Sequence, residues 1–436
     1  MKKVVAIFDI GKTNKKLFLF DENFEVVFKN STRFDETVDD DNDPCDDIAS
    51  IENWIKNQIK KIQKQRIYTI KAINFSTHGA TLVYLDKEGN RITPLYNYLK
   101  PLDHVDFSAF YENHGSVEEF SRKTASPAYG MLNSGLQMYW LKHFKPNYWN
   151  KTETILHYPQ YLSFLFTKKV RADFTSIGAH TATWDFDRMN YHNWLSEEHI
   201  SLPKPTNGKE ATFANVNGEQ IAIGSGLHDS SASIIPLLKN NDGNAFILLS
   251  TGTWIISMNP FSKETLTQHQ LSNNCLCFMT PDKQQIKSSM QFLGRIHEVY
   301  LEALSKHFKA DTEAHLNLDL DKNLCDKIVS SDSRVFLAKG IDTHFEAKPE
   351  LLDIFDSYEK AYYQLVFEIS KKVNTAIDLI LDKNSKLKDI YISGGFNRNE
   401  IFVQFLKLLK PDVSIKIPKA ENESALGAAV LMKDYL

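Results

Sequence analysis

Apolar positions along this chain follow two grammars: short runs that read as strands, and longer stretches with apolar residues every three or four positions. The start is of the first kind. VVAIFD, a turn IGKTNK, KLFLFD, a turn EN and FEVVFK predict an antiparallel meander, because β-rich runs alternate with turn residues. FDETVDDDNDPCDD (34–47) is acidic with few apolar residues and is expected as a solvated loop. A helical period follows, with Ile48, Ile51, Trp54, Ile55, Ile59 and Ile62 on one face. IKAINFSTHGATLVYLD predicts strand, turn, strand; 105–150 reads as helical and aromatic-rich, and HYPQYLSFLFTKK as a buried helix. DFTSIGAHTATWDFD is expected as a loop leading into a strand. Prolines and glycines cluster in LPKPTNGKEATFANVNGEQIAIGSGLHD, which places a crossover between domains there.

The second half repeats this pattern. NAFILLSTGTWIISMNP is again strand, small-residue turn, strand, and a long helical pattern spans about 356–382 through Tyr362, Val366, Ile369, Val373, Ile377 and Leu379. LKDIYISGGFNRNEIFVQFLKLL predicts strand, glycine turn and helix, and ESALGAA a helix whose small residues allow close packing. Two halves that each open strand–turn–strand suggest a duplicated α/β domain.

Size agrees, since 436 residues exceed one ordinary core. The net charge of −4, without a Lys/Arg block, argues against a nucleic-acid partner. No apolar run approaches the roughly 20 residues that cross a bilayer, so no membrane partner is expected. The opening MKKVVAIFDIGKTNKK resembles a leader, but Asp9 interrupts its apolar run and no cleavage site follows, so it reads as a first strand. Cys45, Cys275, Cys277 and Cys325 show neither zinc nor disulfide spacing; Cys275 and Cys277 read as core, and a reducing cytoplasm is expected.

Three small-residue turns interrupt hydrophobic strands: DIGKTN (9–14), STGT (250–253) and SGGFNRN (393–399). Glycine lets backbone N–H groups approach a phosphate, and Ser/Thr hydroxyls add donors. Each turn taken singly has a conformational explanation as well. Asp9 does not fit a bare anion site, because a carboxylate repels phosphate unless it helps to hold Mg²⁺. Lys16 either adds charge near the outermost phosphate or lies on the surface. His78, in STHGA, is either a satisfied turn histidine or a partner for a substrate made of hydroxyls. Asp229, in GLHDSSAS, is either a helix cap or a functional carboxylate.

In order, DIGKTNKKLFLFD, STHGA, GLHDSSAS, STGTW, SGGFNRNEIFVQ and ESALGAA resemble the FGGY carbohydrate kinases. The resemblance runs from residue 4 to residue 431 and implies an α/β fold of two ribonuclease H-like (actin-type ATPase) domains with a cleft between them. It implies an N-terminal domain, 1–225, with the sugar site and first phosphate loop, and a nucleotide-binding C-terminal domain, 226–436. Residue by residue, Asp229 matches the catalytic base and also contacts the sugar, and His78 matches a sugar-contacting position. Asp9 matches the Mg²⁺-organising aspartate, through water, with Gly11, Thr13, Asn14 and Lys16 around the phosphates. Thr251, Gly252 and Thr253 match the second phosphate loop, and Gly394, Gly395, Asn397 and Asn399 the adenosine side. The implied cofactors are ATP and Mg²⁺. The implied substrate is a small ketose phosphorylated at a terminal hydroxyl, the motifs lying between the rhamnulokinase, fuculokinase and xylulokinase branches. The sequence leaves a homodimer open.

Lys12 departs from the small residue of many relatives. Ser176 and His180 are further sugar-side candidates, while Tyr129 and Trp184 either wall the pocket or belong to the core. Two rival expectations stand beside this: a sugar-responsive or merely ATP-hydrolysing protein on the same fold, and a His228–Asp229 metal pair of a phosphohydrolase, which needs further ligands nearby.

Overall fold

The structure, a computed structural model, describes residues 1–102, 105–239, 241, 243–337, 346–418 and 422–436. Among the described residues, two mixed sheets of seven and six strands carry the fold. In the first, β1 (Lys2–Ile10) pairs antiparallel with β2 (Lys15–Phe20) and parallel with β6 (Tyr68–Thr77). β3 (Val26–Thr32) lies outside β2, which completes the expected meander. Beyond β6 come β14 (Glu219–Gly224) and its antiparallel partner β13 (Ala211–Val216), and β15 (Leu227–His228) pairs with the end of β6.

Alternation along β1 sorts its side chains onto two cores. Val4, Ala6, Phe8 and Ile10 pack with α1 (Ile48–Gln65) and α6 (Tyr158–Thr167). Val5 and Ile7 pack with α16 (Glu423–Val430), which returns from the C-terminal end of the chain. Gly427 of α16 lets it close on α9 (Asp229–Ser233), since a Cβ there would stand 1.9 Å from the Ala232 carbonyl oxygen.

The acidic stretch 34–47 is a correction. It folds into a hairpin, β4 (Glu36–Val38) and β5 (Pro44–Asp46), because its carboxylates meet lysines from elsewhere. Asp46 takes Lys12 and Lys15, both at 3.0 Å, and Asp39 takes Lys100 at 2.7 Å.

The aromatic region holds α2 (Ser108–His114), α3 (Val117–Thr124), α4 (Ser134–Phe144) and α5 (Pro146–Trp149). It packs beside the hairpin of β7 (Leu82–Leu85) and β8 (Thr154–His157). The segment expected as a loop holds β9 (Ala172–Asp173), α7 (Phe174–Ile177) and β10 (Trp184–Asp185). β10 pairs with β11 (Asn190–Tyr191), before α8 (Trp194–Glu197), and β9 pairs with β12 (Pro205–Thr206). The stretch read as a crossover thus supplies strands β12 to β15. The boundary expected after 225 falls just before β15, and the chain leaves the first sheet through α9 and α10 (Ile235–Lys239).

The second sheet runs β18 (Cys275–Met279), β19 (Gln285–Gln291), β17 (Ile255–Asn259), β16 (Ala245–Thr251), β20 (Leu387–Gly394), β21 (Ser414–Lys416). Around it lie α11 (Gln268–Ser272), α12 (Leu293–Phe308), α13 (Lys322–Ser331), α14 (Tyr358–Leu379) and α15 (Glu400–Leu409). All four cysteines are free and buried. Among the described residues no helix is long and apolar enough to cross a membrane.

Candidate active site

The antiparallel register of β1 and β2 sets Asp9 directly opposite Lys16, and Ser424 of α16 donates a hydroxyl to Asp9 Oδ1 at 3.2 Å. Burial pushes the Asp9 carboxyl up to about 6, and the charge of nearby Asp229 adds to this against the pull of Lys16. Two carboxyls that both resist ionisation are therefore near enough for the charge of Asp229 to be felt at Asp9. That is an arrangement a divalent cation relieves, so the donor set fits the expected Mg²⁺.

The first turn closes through the Gly11 N–H donating to the Asn14 carbonyl at 3.0 Å. The Asn14 side chain accepts from Arg33 Nε at 2.8 Å, and Thr13 is exposed. The Lys12 side chain turns to Glu36 and Asp46, and its carbonyl accepts from Lys15 Nζ at 2.8 Å.

Asp229 opens α9, yet its carboxylate does not cap the helix in the usual way. His228 holds the cap position without a side-chain bond, and Asp229 Oδ1 accepts from the adjacent Ser230 N–H at 2.6 Å. About a third of the side chain (34%) still reaches solvent. Burial drives the carboxyl above its ordinary value, and a charge on His78 would pull it back, while His228 Nε2 lies 3.3 Å from Asp229 Oδ1. Burial in turn lowers the His78 imidazole from its ordinary value, against the charges of Asp46 and Asp229. His78 Nδ1 lies 3.2 Å from the Gly79 carbonyl, and its ring faces Tyr98 and Tyr158 at 5.5 and 5.6 Å.

A buried chain of hydrogen bonds supports this end of β15. The His228 N–H donates to Thr175 Oγ1 at 3.0 Å, and that hydroxyl donates to Asp173. Desolvation pushes the Asp173 carboxyl up to about 7. His228 Nδ1 sits 3.2 Å from Ser231 Oγ, and the ring packs 5.3 Å from Phe278 of the second sheet. Among the described residues, three close metal-ligating side chains meet only at Asp39, Asp40 and Asp41, so the phosphohydrolase pair gains no ligand set here.

The other two turns meet in the second half. The Thr251 hydroxyl donates to the Ser393 carbonyl and accepts from the Phe396 N–H at 3.0 Å, which welds STGT to SGGFNRN. Gly394 (φ +81°) is required at this crossing, since a Cβ would lie 1.9 Å from the Thr251 carbonyl oxygen. A cavity of about 610 Å³ opens beside them. Thr251, Gly252, Thr253, Gly395 and Asn399 line it, with His297 and Tyr362; Gly394 and Asn397 do not. Asn399 caps α15 by accepting from the Phe402 N–H at 3.0 Å and donates to Tyr362 at 2.8 Å. Gly294, at the start of α12, seats this helix against the second turn. Neither Asp9 nor Asp229 lines the cavity, so the expected residues form two groups.

Of the sugar-side candidates, Ser176 is buried with an unpartnered hydroxyl, and His180 Nδ1 is engaged by the Leu132 carbonyl at 3.1 Å. Trp184 is core, and Tyr129 is exposed. Tyr98, Tyr158, Thr175, Ser424 and Gly294 escaped the sequence reading. Their partners lie far along the chain, and only the Asp-x-Thr spacing at 173–175 hints at its local bond.

Residues 4–235 match the N-terminal domain of the FGGY family of carbohydrate kinases. Rhamnulokinase of Halalkalibacterium halodurans is 24% identical over 258 residues, 56% of this chain and 54% of the relative. That of Mannheimia succiniciproducens is 22% identical over 262 residues, 57% of this chain and 52% of the relative. The chain thus spans about half the length of the curated relatives it matches. A carbohydrate kinase structure from Novosphingobium aromaticivorans has a TM-score of 0.81 at 20% identity, covering 100% of this chain and 92% of that one. The ligand-bound xylulose kinase structure of Lactobacillus acidophilus scores 0.79 at 18% identity, covering 99% and 89%. These structures share the α/β fold of two actin-like domains. With more than half of its length matched by the family's N-terminal domain, the chain belongs to the FGGY family of carbohydrate kinases.

Proposed function

We propose that this protein transfers the γ-phosphoryl group of ATP to a terminal hydroxyl of a small ketose, with Asp229 as the general base. One observation carries the proposal: the Asp229 carboxylate, partly open to solvent, interacts electrostatically with both Asp9 and His78. Phosphoryl transfer asks mainly for positioning and charge neutralisation. Asp229 takes the hydroxyl proton as the oxygen bonds phosphorus, and His78 orients the hydroxyls through its ring nitrogens. Asp9, with Lys16 opposite, would hold Mg²⁺, which when bound would neutralise charge on the phosphates. Gly11, Thr13 and Asn14 and the backbone of Thr251, Gly252 and Thr253 cradle phosphate. Gly394, Gly395, Asn397 and Asn399 form the adenosine side, and the 610 Å³ cavity is of a size that suits a nucleotide.

On this view residues 1–225 hold the sugar and the first phosphate loop and 226–436 the nucleotide, although β15, after residue 225, still pairs in the first sheet. The rhamnulokinase relatives favour a 6-deoxyketohexose such as rhamnulose or fuculose, with xylulose the ketopentose to compare. Four free, buried cysteines support a reducing cytoplasm. Coupled ADP release across rhamnulose, fuculose, xylulose and simple polyols tests the proposal. Turnover is expected only with a matching ketose; ADP release that ignores every sugar would make the protein a bare ATPase.

A further inference from the structure

The acidic hairpin β4–β5 has no part in the chemistry above, yet it is wired to the sugar side. Lys100, whose side chain is 1% exposed, places its ammonium among three carboxylates: Asp39 at 2.7 Å, Asp41 at 3.1 Å, and Asp43. Asp39, Asp41 and Asp43 alternate along the chain, a spacing that other loops use to hold calcium, and here the lysine occupies the convergence point. Asp39 also ties the turn itself, accepting the N–H groups of Asp41 and Asp43 at 2.8 and 3.0 Å.

The segment 95–100 is fastened to this hairpin at both ends. Leu95 bridges to Asp46, Tyr96 donates its hydroxyl to Asp40 at 2.8 Å, and Asn97 donates to the Pro44 carbonyl at 3.2 Å. Tyr98 sits between these anchors and Lys100. Its ring lies 5.5 Å from His78, and its phenol feels the charge of Asp229. Lys12 and Lys15 instead reach Asp46 at the open end of the hairpin, away from the turn 39–43 that holds Lys100.

We propose, on the reading of Asp229 and His78 given above, that Lys100 and the Asp39–Asp43 turn form an internal ion-paired latch that holds Tyr98 as a wall of the sugar pocket. Lys100 is then a positioning residue, and Tyr98 determines which ketose fits.

The test compares Lys100→Met, Lys100→Arg and Tyr98→Ala with the wild type in kcat and in KM for sugar and for ATP, with calorimetric sugar binding and melting temperature alongside. Lys100→Met should raise sugar KM by about 10- to 100-fold, the scale of a small misplacement, while ATP KM moves less than about threefold. Tyr98→Ala should do the same with the melting temperature unchanged, and should alter the ranking of ketoses. Lys100→Arg should recover most of the sugar affinity, since it keeps the charge. If Lys100→Met does not fold, the other two variants and calorimetric binding decide. Chelation is read in an Asp9→Asn background, which lacks the carboxylate assigned to Mg²⁺: EDTA should leave its melting temperature unchanged, and a fall there would put a metal in the lysine's place and overturn the latch. Tyr98→Ala with unchanged sugar KM, or Lys100 variants that raise ATP KM equally, would also overturn it. A wild type without any sugar-dependent turnover would instead sink the kinase reading, so the two failures are distinguishable.

Discussion

Asp9 carries a charge that its surroundings resist, and this has a measurable sign. Its carboxyl is raised from 3.8 to about 6, chiefly by burial. Between those values the folded chain binds more protons than the unfolded one, so stability falls as pH rises through the window and the deficit is complete above it. Asp9→Asn should therefore raise the melting temperature at pH 7.5, with the gain vanishing near pH 4. An equal effect at both pH values would contradict the burial account. The same variant should weaken Mg²⁺-dependent nucleotide binding, which an isothermal titration with and without Mg²⁺ would read. Asp9, His78 and Asp229 were legible because each sits where a strand meets a turn in a short local pattern. Tyr98 was not, since its role depends on contacts across more than 100 residues, from His78 to Asp229. Thr251 was legible as a residue of a turn, but not that its hydroxyl is committed to Ser393 and Phe396.

Elements meet through glycines whose partners are carbonyl oxygens, and carbonyls cannot step aside as a flexible side chain can. At Gly294 an added Cβ would lie 1.8 Å from the Gly252 carbonyl oxygen, so α12 and the second turn must separate in Gly294→Ala. That variant should lower nucleotide affinity while leaving sugar binding near the wild type, at a stability cost of about 1–3 kcal/mol. Calorimetry with each ligand separates the two effects; equal losses would mean general unfolding. Gly427→Ala meets the Ala232 carbonyl at 1.9 Å inside α9, so it should depress kcat by shifting Asp229 while ATP KM holds. Periodicity gave α1 and α15 directly, because each buries one apolar face, whereas α6 and the middle of α14 are buried all round. The hairpin at 36–46 was hidden: its strands are three residues each and its order comes from Lys12, Lys15, Lys100 and Lys145.

At the scale of the molecule, two sheets each carry part of the candidate site, and the lining of the 610 Å³ cavity excludes Asp9 and Asp229. Phosphoryl transfer demands that the groups meet, so sugar and nucleotide together should draw the halves closer and exclude water. Small-angle scattering should give a smaller radius of gyration with ketose and a non-hydrolysable ATP analogue than with either alone; no change would argue for a preformed site. The duplicated strand–turn–strand openings made the two-sheet architecture readable. The return of α16 to the first sheet was not, because its small residues state only that something packs closely. The central claim concerns one carboxylate, and Asp229→Asn tests it most directly. Turnover of the preferred ketose should fall by about 10²–10⁴-fold, the usual share of a general base, while calorimetric sugar affinity stays close to wild type. Full turnover in that variant would contradict the assignment.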